Sequence, residues 1–265
     1  MKHYALLGAS IEHSLSPVLH REGFAEAGVE ASYNLWSCRP EEFENTIMRA
    51  RRELDGFNLT APFKRSILPF LNVLSPAAER LQSVNSVRVV DGELQGENTD
   101  IVGFRASLDT LKPKAGSAMI LGSGGVCGAL LCALSDAGFL HLTLCARRPQ
   151  TGIAWAQRLG LHLRVEPWSK AESLAGHQHL IVNATPLGLV ERGKPIELSS
   201  NPDLVVIDLN TRPKEPTAWV QGAQDLGLRA IDGRIMLSEQ AIAAQRYWGL
   251  PVAGAAAMRR VLAYE

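Results

Sequence analysis

Short apolar runs and amphipathic stretches alternate from the start of the chain. Tyr4 to Leu7 is an apolar run closed by Gly8, and Pro17 to Ala27 follows with Val18, Leu19, Phe24 and Ala25 spaced for one helical face. Ser32 to Cys38 predicts a second strand, Pro40 to Arg52 a charged amphipathic helix, and Gly56 to Leu59 a third short strand, giving β-α-β-α-β. Val87 to Val90 and Leu94 to Gly96 flank Asp91-Gly92-Glu93, where Asp-Gly predicts a hairpin, so this sheet need not be wholly parallel. Gly103 to Leu111 reads as a helix, and Lys112 to Gly116 has the composition of a linker, which places a domain boundary nearby.

The pattern then changes character. Ser117 to Leu121 is an apolar strand, Gly122-Ser123-Gly124-Gly125 a tight turn, and Val126 to Ala137 a helix rich in small residues. Glycines in such a turn let backbone N–H groups approach a pyrophosphate, and the helix N-terminus adds partial positive charge. Cys127 stands where the third glycine of G-x-G-x-x-G would fall, but strand and helix flank the turn as a dinucleotide-binding unit requires. The next strand, Leu140 to Cys145, ends in Ala146-Arg147-Arg148-Pro149, about 20 residues past the glycines, where an NAD-binding unit places an acid on the ribose hydroxyls. Two guanidiniums suit a 2′-phosphate instead, which favours NADP and leaves NAD possible. Leu180 to Asn183 and Leu204 to Asp208 read as further buried parallel strands, running into Asn183-Ala184-Thr185-Pro186-Leu187-Gly188 and Asp208-Leu209-Asn210-Thr211. Ligands gather at such carboxyl ends.

The densest candidate chemistry lies earlier, in Asn58-Leu59-Thr60-Ala61-Pro62-Phe63-Lys64. Pro62 keeps this stretch extended or turned, so that Asn58, Thr60 and Lys64 could share a face. Its plain alternative is a capped turn leading into a helix from Arg65 to Leu71, with Lys64 an ordinary surface charge. A second polar cluster at Glu97-Asn98-Thr99-Asp100, with the glycine turn beyond it, tips the reading toward an enzyme. The 27 Lys and Arg balance 27 Asp and Glu, which argues against nucleic acid or a membrane surface as partner and makes any anion affinity local. No apolar run approaches the length of a membrane span, and the first residues do not resemble a signal peptide, so a cytoplasmic protein is expected. Cys38, Cys127, Cys132 and Cys145 have no C-x-x-C spacing, and neither disulfides nor a metal site is expected.

Taken together, Ser14-Leu15-Ser16-Pro17, Asn58 to Lys64, Ser83-Val84-Asn85-Ser86, Asn98-Thr99-Asp100, Gly122 to Gly125, Asn183 to Gly188 and Gly233 to Gln240 closely resemble the shikimate dehydrogenase family, in the same order and along the whole chain. The resemblance implies an N-terminal α/β substrate domain, a Rossmann-type doubly wound dinucleotide-binding domain, and C-terminal helices returning to the first domain. The boundaries it suggests are 1–102 with 236–265 for substrate and 103–235 for nucleotide, with the reaction in the cleft between them. It also implies NADPH-linked reduction of 3-dehydroshikimate to shikimate, a step of the chorismate pathway to aromatic amino acids. Lys64 and Asp100 would transfer the proton, Ser14 and Ser16 would hold the substrate carboxylate, and Thr60, Asn85 and Gln240 the ring hydroxyls. Gly122, Ser123, Gly124, Gly125, Val126, Arg147, Arg148, Thr185, Leu209 and Gly233 would hold the nucleotide. The same reading gives His13 and His20 no catalytic role, and expects a monomer or homodimer.

Two departures bear on the substrate and cofactor. Thr211 stands where the family commonly carries a substrate-contacting tyrosine, and Ala146-Arg147-Arg148 replaces the usual Asn-Arg-Thr. They keep open a paralogue acting on quinate or a related cyclohexane carboxylate with NAD or NADP. A rival of another class is a nucleotide-binding sensor of the same fold that has lost catalysis, against which the full set of Lys64, Asp100, Asn85 and Ser16 argues.

Overall fold

The computed structural model describes residues 1–188, 193–212 and 215–263. It divides into two compact units, Met1–Gly103 with Ser238–Ala263, and Phe104–Leu237.

The first unit runs β1 (Lys2–Gly8), α1 (Ser16–Glu26), β2 (Ala31–Ser37), α2 (Phe43–Glu53), β3 (Gly56–Leu59), β4 (Val73–Leu74), α3 (Pro76–Leu81), β5 (Ser86–Val90) and β6 (Glu93–Glu97). Its sheet has the order β2-β1-β3-β5-β6-β4. β1 pairs in parallel with β2 and β3, as helical crossovers demand, whereas β5 runs antiparallel to β3 and β6. The β5–β6 turn places Asp91 at φ 50 and Gly92 at φ 76, the backbone that Asp-Gly favours in a tight hairpin. From Tyr4 onward both faces of β1 are covered, so Tyr4 to Leu7 is apolar without alternation. Ala5 and Leu7 pack with Phe43, Ile47, Phe57 and Phe63 on one face. Tyr4 and Leu6 meet Phe24, Tyr33 and Trp248 on the other.

The expected helix from Arg65 to Leu71 does not form. The segment holds turns and one 3-10 turn, Leu68–Phe70, because Pro69 has no N–H to close onto Arg65, and buried Phe63 and Ile67 fix it to the core. The next helix, α4 (Asp100–Leu111), begins three residues before its sequence-predicted start at Gly103, so that Asp100 occupies its first turn. The division between the units falls inside α4, ahead of the Lys112–Gly116 connection.

The second unit continues with β7 (Ser117–Leu121), α5 (Cys127–Asp136), β8 (His141–Ala146), α6 (Pro149–Leu159), β9 (Leu163–Pro167), α7 (Ala171–Ala175), β10 (Leu180–Asn183), β11 (Val205–Asp208), α8 (Ala218–Asp225) and β12 (Arg229–Ile231). The strand order is β12-β11-β10-β7-β8-β9, parallel throughout. The chain winds outward from β7 to β9 and then from β10 to β12, which makes the sheet doubly wound with its switch point between β7 and β10. α9 (Arg234–Tyr247) leads back to the first unit, where α10 (Ala255–Val261) packs on α1. Their approach requires glycine, since a Cβ on Gly254 would sit 2.0 Å from the carbonyl oxygen of Gly23. Among the described residues no helix is long and apolar enough to cross a membrane.

Candidate active site

In the first unit, β3 ends at Leu59 and the strand alternation ends with it. Phe63 N–H donates to the Thr60 carbonyl across a turn containing the cis Ala61–Pro62 peptide, and Lys64 emerges from that turn rather than from an extended face shared with Asn58. The Lys64 ammonium lies 2.5 Å from Asp100 Oδ2, with the two side chains only 15% and 8% exposed. The first turn of α4 favours a carboxylate at Asp100 through its partial positive charge. An amide lattice holds the pair. Asn85 Nδ2 donates to Asp100 Oδ1 at 2.8 Å and to Thr99 Oγ1 at 3.1 Å, and Asn85 Oδ1 accepts from Thr99 N–H at 2.7 Å. Asn98 Nδ2 bonds the Ser83 carbonyl at 2.9 Å, and the Val84 N–H bonds the Lys64 carbonyl at 2.8 Å.

Further candidates stand in the same unit. Gln240 Oε1 lies 3.5 Å from Asn85 Nδ2, which brings Lys64, Asn85, Asp100 and Gln240 together from four separate stretches of sequence. Thr60 N–H bonds the Leu7 carbonyl, and its methyl crowds Gly8, where a Cβ would lie 2.5 Å away. Ser14 Oγ accepts from the Ser16 N–H at 3.2 Å, and Ser16 with Pro17 opens α1, so both hydroxyls stand at that helix N-terminus. Asn58 is buried. Its Oδ1 accepts from the Tyr33 hydroxyl at 2.8 Å, and its Nδ2 donates to the Asn85 carbonyl at 3.0 Å. His20 falls within the helix expected from Pro17 to Ala27. It is buried in α1, stacked on Tyr33 with ring centroids 4.2 Å apart, and burial holds its pKa down to about 3.

The second unit has a cavity of about 280 Å³ at the carboxyl ends of β7, β8 and β10. Gly122, at φ 103, forms one edge, and a Cβ there would fall 3.0 Å from the Ala184 carbonyl and 2.8 Å from the Thr185 side chain. Ser123 and Gly124 also line the cavity, and the missing Cβ of Gly124 leaves open space. Gly125 and Val126 follow outside the lining. Close helix packing, the work of a third glycine, falls to Gly128, whose Cβ would meet Trp155 at 2.4 Å. Cys127 beside it is buried, and its thiol is pushed up to about 12 by that burial, which leaves it inert. Arg147 and Arg148 line the cavity, as does Trp168, which no sequence motif marks. Ala146 pairs in register with Pro167, so the residue after β9 stands beside the arginines.

The remaining wall is pinned from behind. Asn183 Oδ1 accepts from Thr185 N–H at 3.0 Å and from its hydroxyl at 2.7 Å, while Asn183 Nδ2 donates to Asp208 Oδ1 at 2.9 Å. Asn210 Nδ2 bonds the Thr185 and Leu187 carbonyls, each at 3.0 Å, and Thr217 donates to Asp208 Oδ2 at 2.7 Å. Burial raises the Asp208 pKa, against the bonds from Thr217, Asn210 and Asn183. Leu209, Thr211 and Gly233 cluster apart from the cavity lining: a Cβ on Gly233 would come within 2.2 Å of the Leu209 carbonyl and 2.8 Å of Thr211 Oγ1. Beside them Arg234 is buried against Asp232 at 3.2 Å and donates to the Arg212 carbonyl.

A doubly wound nucleotide unit, joined to an α/β unit that carries a shielded lysine–aspartate pair, defines an oxidoreductase of the nicotinamide-nucleotide-dependent class. A family model described as the shikimate dehydrogenase substrate binding domain matches residues 6–87. The shikimate dehydrogenase (NADP(+)) of one Thermus thermophilus strain is 38% identical over 94% of this chain and 92% of its own length. The chain belongs to the shikimate dehydrogenase family. Among solved structures, the shikimate 5-dehydrogenase of a second Thermus thermophilus strain, in complex with NADP(H) and shikimate, matches at TM-score 0.85 and 34% identity, over 99% of this chain and all of the other (100%). The quinate dehydrogenase of Corynebacterium glutamicum in complex with NAD matches at TM-score 0.87 and 26% identity, over 98% of each chain.

Proposed function

We propose that the protein catalyses the reversible reduction of 3-dehydroshikimate to shikimate with NADPH. The observation that carries this reading is the hydrogen-bonded chain Lys64–Asp100–Asn85–Gln240, a charged acid–base pair amid amides suited to ring hydroxyls, in a chain 38% identical to an NADP-linked relative. The nucleotide fits the second unit: Gly122 and Gly124 leave backbone room for a pyrophosphate, Arg147 and Arg148 offer fork-shaped donors to a 2′-phosphate, and Trp168 gives a flat wall for a purine. When bound, NADPH supplies the hydride.

The chain's own residues then manage binding and the proton. Ser14 and Ser16 receive the substrate carboxylate at the N-terminus of α1, where helix charge favours an anion. Thr60, Asn85 and Gln240 orient the ring hydroxyls. The Lys64 ammonium stands at the ketone oxygen and gives it a proton as the carbonyl carbon gains hydride; in the oxidative direction the proton returns to Lys64. Asp100 keeps that ammonium charge-balanced and aimed. The four cysteines are buried and free, which suits a reducing cytoplasm, and the enzyme acts there as a monomer or homodimer.

Initial rates with shikimate and quinate, each with NADP and NAD, test the assignment, and shikimate with NADP is expected to be fastest. Lys64→Ala should lower kcat about 10³-fold while NADP still binds. Turnover undiminished in that variant would exclude Lys64 as the proton donor. A second reading, quinate oxidation with NAD, draws on Thr211 in place of the family tyrosine; a faster rate with quinate and NAD would select it.

A further inference from the structure

The chain of bonds behind the lysine extends one residue further than the reaction requires. Tyr33, wholly buried in β2, donates its single phenolic proton to Asn58 Oδ1 at 2.8 Å. That bond fixes which end of the Asn58 amide faces Asn85, since Asn58 Nδ2 then donates to the Asn85 carbonyl at 3.0 Å. Asn85 in turn bonds Asp100, and Asp100 holds Lys64. The ring cannot drift, being stacked on His20, which Gln245 anchors at 3.2 Å from its Nδ1.

We propose that Tyr33 is a positioning residue for proton transfer, its hydroxyl fixing the amide chain that aims Lys64 and Asp100. This rests on the function proposed above. Tyr33 touches neither reacting atom; it fixes the amide that backs the proton-transfer pair, so turnover depends on one buried oxygen.

Tyr33→Phe removes only that oxygen, and Tyr4→Phe removes the phenol of a ring in the same aromatic cluster that has no bond to Asn58. For each, kcat and KM are measured with shikimate and with shikimate methyl ester, and NADP affinity by fluorescence titration. Tyr33→Phe should lower kcat/KM for shikimate at least about tenfold. The loss should fall on kcat, equally for the acid and the ester, and leave NADP affinity and all Tyr4→Phe values at the wild-type level. Wild-type kcat/KM in Tyr33→Phe, or a loss confined to KM for the free acid, would overturn the role. Should Tyr33→Phe fold poorly, the double variant Tyr33→Phe, Asn58→Leu removes donor and acceptor together and leaves neither orphaned on that bond. The Asn85 carbonyl still accepts from Leu59 N–H there, and the same losses are expected. Wild-type enzyme assayed alongside separates the two claims: no shikimate turnover by the wild type rejects the function itself, whereas normal wild-type turnover with an unaltered variant rejects Tyr33 alone.

Discussion

At the scale of single residues, His20 shows how burial turns a common side chain into a determinant of stability. Its ring lies among Tyr33, Phe24 and Trp248, and its Nε2 has no hydrogen-bond partner among the described residues, so the charged form has nothing to offset its desolvation. The folded-state pKa of about 3 lies below the ordinary 6.5, so the folded protein keeps this ring neutral where the unfolded chain would protonate it. The stability it contributes is therefore present above about pH 6.5 and is lost as pH falls toward 3. The slope is about 1.4 kcal/mol per pH unit, or roughly 2 kcal/mol between pH 7 and pH 5. His20→Phe keeps a ring in the stack, and Gln245 retains the backbone carbonyl of residue 20. Urea denaturation of both proteins across this range should show a shallower pH slope in the variant. Parallel slopes would mean that other groups govern acid sensitivity.

At the scale of elements, the glycine turn between β7 and α5 and the Thr185–Leu187 segment form a single construction, since Gly122 has room only because Ala184 and Thr185 pass directly beside it. Gly122→Ala would place a Cβ against both and force an L residue into φ 103, so the turn must open. Its affinity for NADP, read by fluorescence titration, should fall at least about tenfold, because both the turn and the wall it abuts must move. Unchanged affinity would detach the turn from nucleotide binding. Much of this was legible beforehand: the glycines, the apolar strands around them and the Asp-Gly hairpin each carry a local signal. The segment from Arg65 to Leu71 misled because its apolar spacing suits a helix, while Pro69 and the anchoring of Phe63 and Ile67 leave room for a single 3-10 turn. Trp168 escaped notice because its place depends on the β8–β9 register, which neither strand encodes alone. Tyr33 escaped for a similar reason, its partner Asn58 lying 25 residues away on a strand that is not its neighbour.

At the scale of the whole molecule, the balance of 27 basic and 27 acidic residues provides no long-range field to gather an anionic cofactor, so discrimination between NADP and NAD must come from contacts within a few ångströms. Arg147 and Arg148 are the charged side chains in the lining of the second unit's cavity, at the end of β8, and are the ones proposed to meet a 2′-phosphate. Charge-assisted bonds of this kind contribute about 1.5–3 kcal/mol each, which corresponds to roughly 10- to 100-fold in affinity. Their effect should appear only with the cofactor that carries the phosphate. The double variant Arg147→Ala, Arg148→Ala is thus expected to raise KM for NADP by at least roughly that factor, to leave KM for NAD near its wild-type value, and to leave KM for shikimate unchanged. Equal losses with both cofactors would mean that the arginines serve the diphosphate or the fold, and the preference for NADP would have to arise elsewhere, with Ser123 and Thr185 on the same cavity wall the next side chains to replace.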